Sequence, residues 1–177
     1  VDECIAEVFE TEDKAAMIDE IMNRYGQEIL QLVYSYVHNK EIAEDLTQDI
    51  FVKCYQSLHT YKGHAKLRTW LWRITINHCK DYVKSWYHKK VIITEKEAEF
   101  TGVRSDDIEE AVIRNEEDHV LAAAVMNLPV QYREVIYLFY FEELPIKEIG
   151  QLIDVKENTV KTRLRRAKEL LREGLEE

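Results

Sequence analysis

The strongest constraint on this chain is the spacing of its apolar residues. In AAMIDEIMNRYGQEILQLVYSYVHN, Ile18, Ile21, Met22, Tyr25, Ile29, Leu32, Val33 and Tyr36 recur mostly at three- and four-residue steps, which gathers them on one stripe of an α-helix. EIAEDLTQDIFVKCYQSL repeats the pattern, with Ile42, Ala43, Leu46, Ile50, Phe51 and Cys54 inward and Glu44, Asp45, Gln48 and Asp49 opposite. TWLWRITINHCKDYVKSWYHKK follows a loop around Gly63. Leu71, Ile74, His78 and Tyr82 share a face there, and Thr69 is the expected N-cap. Gly26 is read as a point where the first run kinks or divides. With five glycines and two prolines in 177 residues, a turn-rich β-sandwich is excluded.

Residues 91–112 lose the helical period and gather acids, as a linker does. The period returns from about Glu110, with Val112, Val120, Leu121, Ala124, Val125 and Leu128 inward, and stops at Pro129. VQYREVIYLFYFEEL reads as an apolar core helix, and Pro145 suits the first turn of the next. PIKEIGQLI, DVKEN and TVKTRLRRAKELL then have the form of a helix–turn–helix, with Ile146, Ile149 and Ile153 inward, Val155 plugging the core, Gly150 admitting a closely crossing helix and Asn158 as N-cap. The expected fold is all-α: two small helical domains joined by a flexible acidic linker, the second a four-helix domain with a helix–turn–helix. The expected boundaries are 1–92, 93–112 and 113–177.

Charge divides the chain further. It holds 24 Lys+Arg against 34 Asp+Glu, a net charge of −10. Yet residues 61–90 carry 8 basic residues and 1 acidic, and residues 156–172 carry 7 against 2. Two basic islands in an acidic background suit a polyanion bound at chosen places. On a helical wheel, Val160, Leu164, Ala167 and Leu171 fall inward, Asn158, Thr162, Arg165, Arg166 and Glu169 opposite, and Lys161 and Arg163 flank. Arg, Thr and Asn near the start of such a helix match the chemistry of base edges. The first island interleaves cations with Tyr61, Trp70, Trp72, Tyr82, Trp86 and Tyr87, as a groove for unstacked bases requires.

Other classes find little support. Cys4, Cys54 and Cys79 are odd in number and widely spaced, and NHC (Asn77–Cys79) has no second cluster at ligand spacing. Disulfides, metal and cofactors are therefore not expected. No phosphate loop or nucleophile elbow is present, so the chain is read as a non-enzyme. No apolar run approaches the ~20 residues that cross a bilayer, so no membrane insertion and a cytoplasmic setting are expected.

These segments resemble, in order, the extracytoplasmic-function (ECF) sigma factors of bacterial RNA polymerase. EIAEDLTQDIFVKCYQSL is similar to that family's polymerase-binding helix and KLRTWLWRITINHCKDYVK to its promoter-melting segment. LPVQYREVIYLFYFEELPIKEIGQLIDVKENTVKTRLRRAKELLRE is similar to its −35-reading domain. The resemblance implies core RNA polymerase as partner, through the clamp helices of β′ and the flap of β, with Asp45, Gln48 and Asp49 at the contact. It implies promoter DNA at two places. The −10 element falls to Lys62, Lys66, Leu67, Arg68, Trp70, Arg73, Asn77, Lys80 and Lys84. The −35 element falls to Lys161, Thr162, Arg165 and Arg166, with Asn158, Thr159 and Arg163 toward phosphates. An anti-sigma factor is a further implied partner. The alternative is a stand-alone helix–turn–helix regulator, which leaves the 61–90 island and the Asp45–Gln48–Asp49 face without a task.

Overall fold

The computed structural model describes residues 13–63, 65–93 and 116–176; apart from its first residue, the expected linker 93–112 lies outside them, as do Cys4, Glu110 and Val112. Helix α1 (Lys14–Val37) starts where the Asp13 carboxylate accepts hydrogen bonds from the amides of Ala15 and Ala16, at 3.0 and 3.2 Å. It ends where His38 turns left-handed (φ 51°) and donates its N–H to the Tyr34 carbonyl. The next residue, Asn39, caps α2 (Lys40–Ser57) by accepting the Ile42 amide at 2.9 Å. A stop and a start on adjacent residues fold α1 and α2 into a tight helical hairpin. One 3₁₀ turn (Leu58–Thr60) and a short loop lead to α3 (Leu67–Ile93).

These three helices pack on one another. Met17, Ile18, Ile21, Tyr25, Ile29, Leu32, Val33 and Tyr36 meet Ala43, Leu46, Ile50, Phe51 and Cys54 from α2 and Leu71, Trp72, Ile76 and Cys79 from α3. Trp72 is wholly enclosed and meets Tyr25 edge to face, with ring centres 6.0 Å apart. Several expectations need correction. Gly26 does not divide α1, because nothing crowds it and its neighbours supply an unbroken stripe. Thr69 lies inside α3 rather than capping it, since Trp70 already donates to the Lys66 carbonyl. Met22 points outward, and the deepest side of α3 is Leu71, Trp72, Thr75, Ile76 and Cys79 rather than the line through His78 and Tyr82.

The second domain is built from α4 (Glu116–Asn127), α5 (Val130–Ile136), a wide π turn (Tyr137–Phe141), α6 (Ile146–Ile153) and α7 (Glu157–Glu176). Val120 and Leu121 are exposed rather than inward. The π turn closes with Glu142 N–H on the Tyr137 carbonyl, five residues back. That extra residue lets the apolar run end with Leu138 buried and Glu142 turned aside. Pro145 is the residue before α6 rather than in its first turn, and Asn158 lies inside α7, whose first amide bonds go to the Lys156 carbonyl.

The turn of the helix–turn–helix depends on Gly150. Asp154 adopts a left-handed conformation (φ 57°), and the amides of Asp154 and Val155 both reach back to the Gly150 carbonyl. A Cβ on Gly150 would stand 2.8 Å from the Val155 carbonyl oxygen. Glycine is thus demanded by the turn's own backbone more than by the crossing helix, whose nearest atoms, Glu157 N and Val160 Cγ2, are 3.7 and 3.8 Å away. The two domains meet where α1 packs on α5 and α3 on α6. Gly26 and Gly150 predict opposite outcomes in denaturant unfolding. Gly26→Ala should stabilise by about 0.5–1 kcal/mol through helix propensity, and Gly150→Ala should destabilise by about 1–3 kcal/mol through the backbone clash.

Candidate nucleic-acid and partner interface

The outer face of α2 follows from its inner one. Once Ala43, Leu46, Ile50 and Cys54 are buried, Asp45, Gln48 and Asp49 stand exposed on the opposite side. Val52 and Tyr55 continue that face one turn on, 55% and 47% exposed. Sequence reasoning missed these two, although Val52 lies four and three residues from Gln48 and Asp49, and Tyr55 three beyond Val52, a spacing that was there to read. An exposed strip of carboxylate, amide, aliphatic and aromatic groups suits a cationic, partly apolar protein partner.

His78 of α3 sits beneath this strip, its Nε2 3.9 Å from Asp49 Oδ2. Neither ring nitrogen has a hydrogen-bond partner among the described residues. Burial, helped by Lys53, holds its pKa below the ordinary value of 6.5, against the pull of Asp49 and Asp81.

Lys66, the residue before α3, and Trp70, Arg73, Asn77, Lys80 and Lys84 on it recur at steps of four and three and form one stripe. Lys66, Arg73, Asn77 and Lys84 are exposed, as is Lys62 in the loop before the helix. Trp70 is partly buried against Tyr61, 5.5 Å between ring centres, and the Tyr61 hydroxyl donates to the Ala65 carbonyl at 2.9 Å. That bond shapes the loop. Leu67 begins the helix and is 8% exposed, so in this arrangement it faces the core. Trp86 and Tyr87 stand edge to face at the exposed far end of α3, 5.4 Å between centres.

On α7, Val160, Leu164 and Ala167 are buried and Leu171 partly so. This exposes Asn158, Lys161, Thr162, Arg165 and Arg166, with Thr159 and Arg163 half-buried. Thr162 is tethered by donating to the Asn158 carbonyl. Arg166 pairs with Glu169 and Glu173 of its own helix, at 3.1 and 3.7 Å. Lys161 and Arg165 pair with no carboxylate among the described residues.

Three expected DNA-facing cations are turned elsewhere. Glu134 of α5, its side chain 2% exposed, accepts the Tyr36 hydroxyl at 2.5 Å and lies 3.2 Å from Lys80 and 3.6 Å from Arg163. Lys80 also donates to the Ile153 carbonyl at the end of α6. Glu142, after the π turn, accepts Arg68 at 2.5 Å and the Trp72 indole N–H at 3.0 Å. Arg68 reaches Glu28 as well and lies over the Trp72 ring, 4.4 Å from its centre. Burial raises the pKa of Glu142, with Arg68 opposing, and burial followed by Glu134 raises that of Tyr36. Neither glutamate was singled out from sequence. Arg133–Glu134 stands out only as a charged pair inside an apolar run, and spacing alone does not say what it meets.

Burial pushes the thiols of Cys54 and Cys79 up to about 12, which keeps both protonated. Among the described residues, no group of three or more His, Cys, Asp or Glu side chains could hold a metal ion, and no helix is long and apolar enough to cross a membrane.

Comparison with known proteins meets this geometry. The family model described as Sigma-70 region 2 matches residues 21–87, and Sigma-70, region 4 matches residues 119–171. ECF RNA polymerase sigma factor SigW of Bacillus subtilis is 32% identical over 170 residues, covering 92% of this chain and 90% of the relative. SigM of the same organism is 31% identical, covering 88% and 93%. Among solved structures, the sigma factor RpoE of Bartonella quintana, in complex with the anti-sigma factor NepR, is similar in fold. Its TM-score is 0.70, with 18% identity and coverage of 89% of this chain and 96% of that one. CnrH, in complex with the cytosolic domain of CnrY, gives a TM-score of 0.67 at 19% identity, covering 99% and 97%.

The environment of His78 predicts a pH effect on stability. Its folded pKa is depressed, so the unfolded chain takes up the proton first as pH falls below about 6.5. Stability from the neutral ring is therefore complete above that value and is lost as pH drops toward the lower folded pKa. Unfolding midpoints between pH 7.5 and 5.5 should fall less steeply in His78→Gln than in the parent.

Proposed function

The chain belongs to the ECF sigma factors of bacterial RNA polymerase, and from that premise we infer how its surfaces divide the work. It directs RNA polymerase to promoters as an initiation factor. The exposed face of α2, with Asp45, Gln48, Asp49, Val52 and Tyr55, docks on the clamp helices of β′, where carboxylates and amides meet basic side chains. Lys62 and the α3 stripe, with Lys66, Trp70, Arg73, Asn77 and Lys84, hold the −10 element as it opens. The lysines and Arg73 follow the backbone, and the aromatic and amide groups meet bases.

Helix α7 enters the −35 major groove with Lys161, Thr162, Arg165 and Arg166, while Asn158, Thr159 and Arg163 lie toward phosphates. The second domain rests on the flap of β. Holding both elements from one polymerase makes the second contact effectively intramolecular. The fold's likeness to proteins solved with NepR and CnrY supports an anti-sigma partner for this chain, acting in the cytoplasm.

The observation that carries this reading is the order of surfaces in one chain: an acidic docking strip, a cation-aromatic stripe, then a basic helix–turn–helix. A stand-alone regulator would use only the last. In-vitro transcription with core polymerase and a genomic set of templates tests the reading; no new promoter-specific transcript on any template would overturn it.

The division of labour predicts separable defects. Asp49→Arg should weaken core binding at least tenfold while leaving duplex contacts intact, since it reverses one charge on the docking strip. Arg165→Ala should cost about 1–3 kcal/mol of −35 recognition with core binding unchanged, measured by holoenzyme assembly and promoter footprinting.

A further inference from the structure

The contacts between the domains are built from the groups that the proposed function needs elsewhere. Arg68 and Lys80 belong to the first domain and its −10 surface, yet each is held by a carboxylate of the second, Glu142 and Glu134 respectively. Within the second domain, Arg163, on the flank of the −35 helix, turns to the same Glu134. Lys80 adds the Ile153 carbonyl, so its ammonium sits among anionic and carbonyl oxygens much as it would among phosphate oxygens. Tyr36 and Arg133 fasten the joint: the Tyr36 hydroxyl bonds Glu134, and the Arg133 guanidinium bonds the Tyr36 carbonyl at 2.9 Å.

We propose that Glu134 and Glu142 are phosphate surrogates. The closed arrangement of the two domains withholds Arg68 and Lys80 from DNA, Glu134 also occupies Arg163 from within the second domain, and the domains must part before both promoter elements are read. The proposal rests on the assignment of these three cations to promoter contacts. Its energetics suit a device that must open. Charges taken from water into a buried pair give back much of their attraction as desolvation cost, so the joint is specific in geometry and modest in net strength. A polyanion that replaces the carboxylates at the three cations opens it by competition. The penalty on DNA binding is the reciprocal of the fraction of molecules open: with about nine in ten closed, apparent affinity falls about tenfold.

The test uses the full chain. Glu134→Gln/Glu142→Gln keeps size and hydrogen-bonding capacity and removes both charges, and Tyr36→Phe removes only the hydroxyl that orients Glu134. Glu143→Gln/Glu148→Gln removes two charges from exposed positions of the same domain and controls for net charge. Solution scattering reads the radius of gyration, fluorescence anisotropy reads binding to a promoter duplex without polymerase, and circular dichroism confirms helicity. The expected result is a larger radius and about tenfold tighter duplex binding for the Glu134/Glu142 variant, a smaller shift of the same sign for Tyr36→Phe, and neither change in the control. Tighter binding without expansion, or equal tightening in the control, reduces the effect to net charge and overturns the proposal, as does no change in a folded variant. Transcription with core polymerase is scored in parallel. Its absence in every variant including the parent refutes the sigma-factor reading, while the scattering result still decides whether the joint opens.

Discussion

Glu134 is the group on which the arrangement of this molecule turns. It is a carboxylate with almost no access to water, and three side chains from three other helices answer it: Tyr36 from α1, Lys80 from α3 and Arg163 from α7. A buried charge persists only when it is paired and hydrogen-bonded. Here those partners come from both domains, so satisfying the charge is the same act as joining the domains. Arg133, its neighbour, does for backbone carbonyls what Glu134 does for side chains. It bonds the ends of α1 and α4 through the carbonyls of Tyr36 and of Met126 and Leu128, oxygens that helix termini otherwise leave unpaired.

Around that joint the functional surfaces follow from amphipathicity. Each helix that buries one stripe must expose the other, and the exposed stripes carry different chemistries. The strip on α2 is acidic with an apolar continuation; those on α3 and α7 are basic. Opposite charges on separate faces let one small protein meet a basic protein surface and a polyanion without one masking the other. The same logic explains the acidic background, which limits attachment to DNA away from the two basic islands.

Much of this was legible in the residues because helical period and capping are local. The stripe on α2 emerged as read, since Ala43, Leu46, Ile50, Phe51 and Cys54 are buried and the polar face opposite them is exposed. Where local reading failed, a competing contact had won. Thr69 looked like a cap, but the Lys66 carbonyl already serves Trp70 and the helix begins earlier. Gly26 looked like a break, but buried residues on both sides, four before it and five after, carry the helix through it. Val120 and Leu121 fit an inward period yet are exposed.

The sequence by itself determined what depends on near neighbours: an all-α chain, a helix–turn–helix with Gly150 in its first helix, and basic residues sorted onto one side of α7. These follow from periodicity, backbone conformation and charge along the chain, each acting over a few residues. Tertiary structure alone decided which of those charges are available. Arg68, Lys80 and Arg163 read as three members of a DNA surface, but in the folded chain they answer Glu142 and Glu134, in two cases more than fifty residues away. The pattern of a helix states which way a cation points. Whether it meets solvent or a carboxylate depends on packing between elements distant in sequence, where the cost of burying an unpaired charge selects the partner.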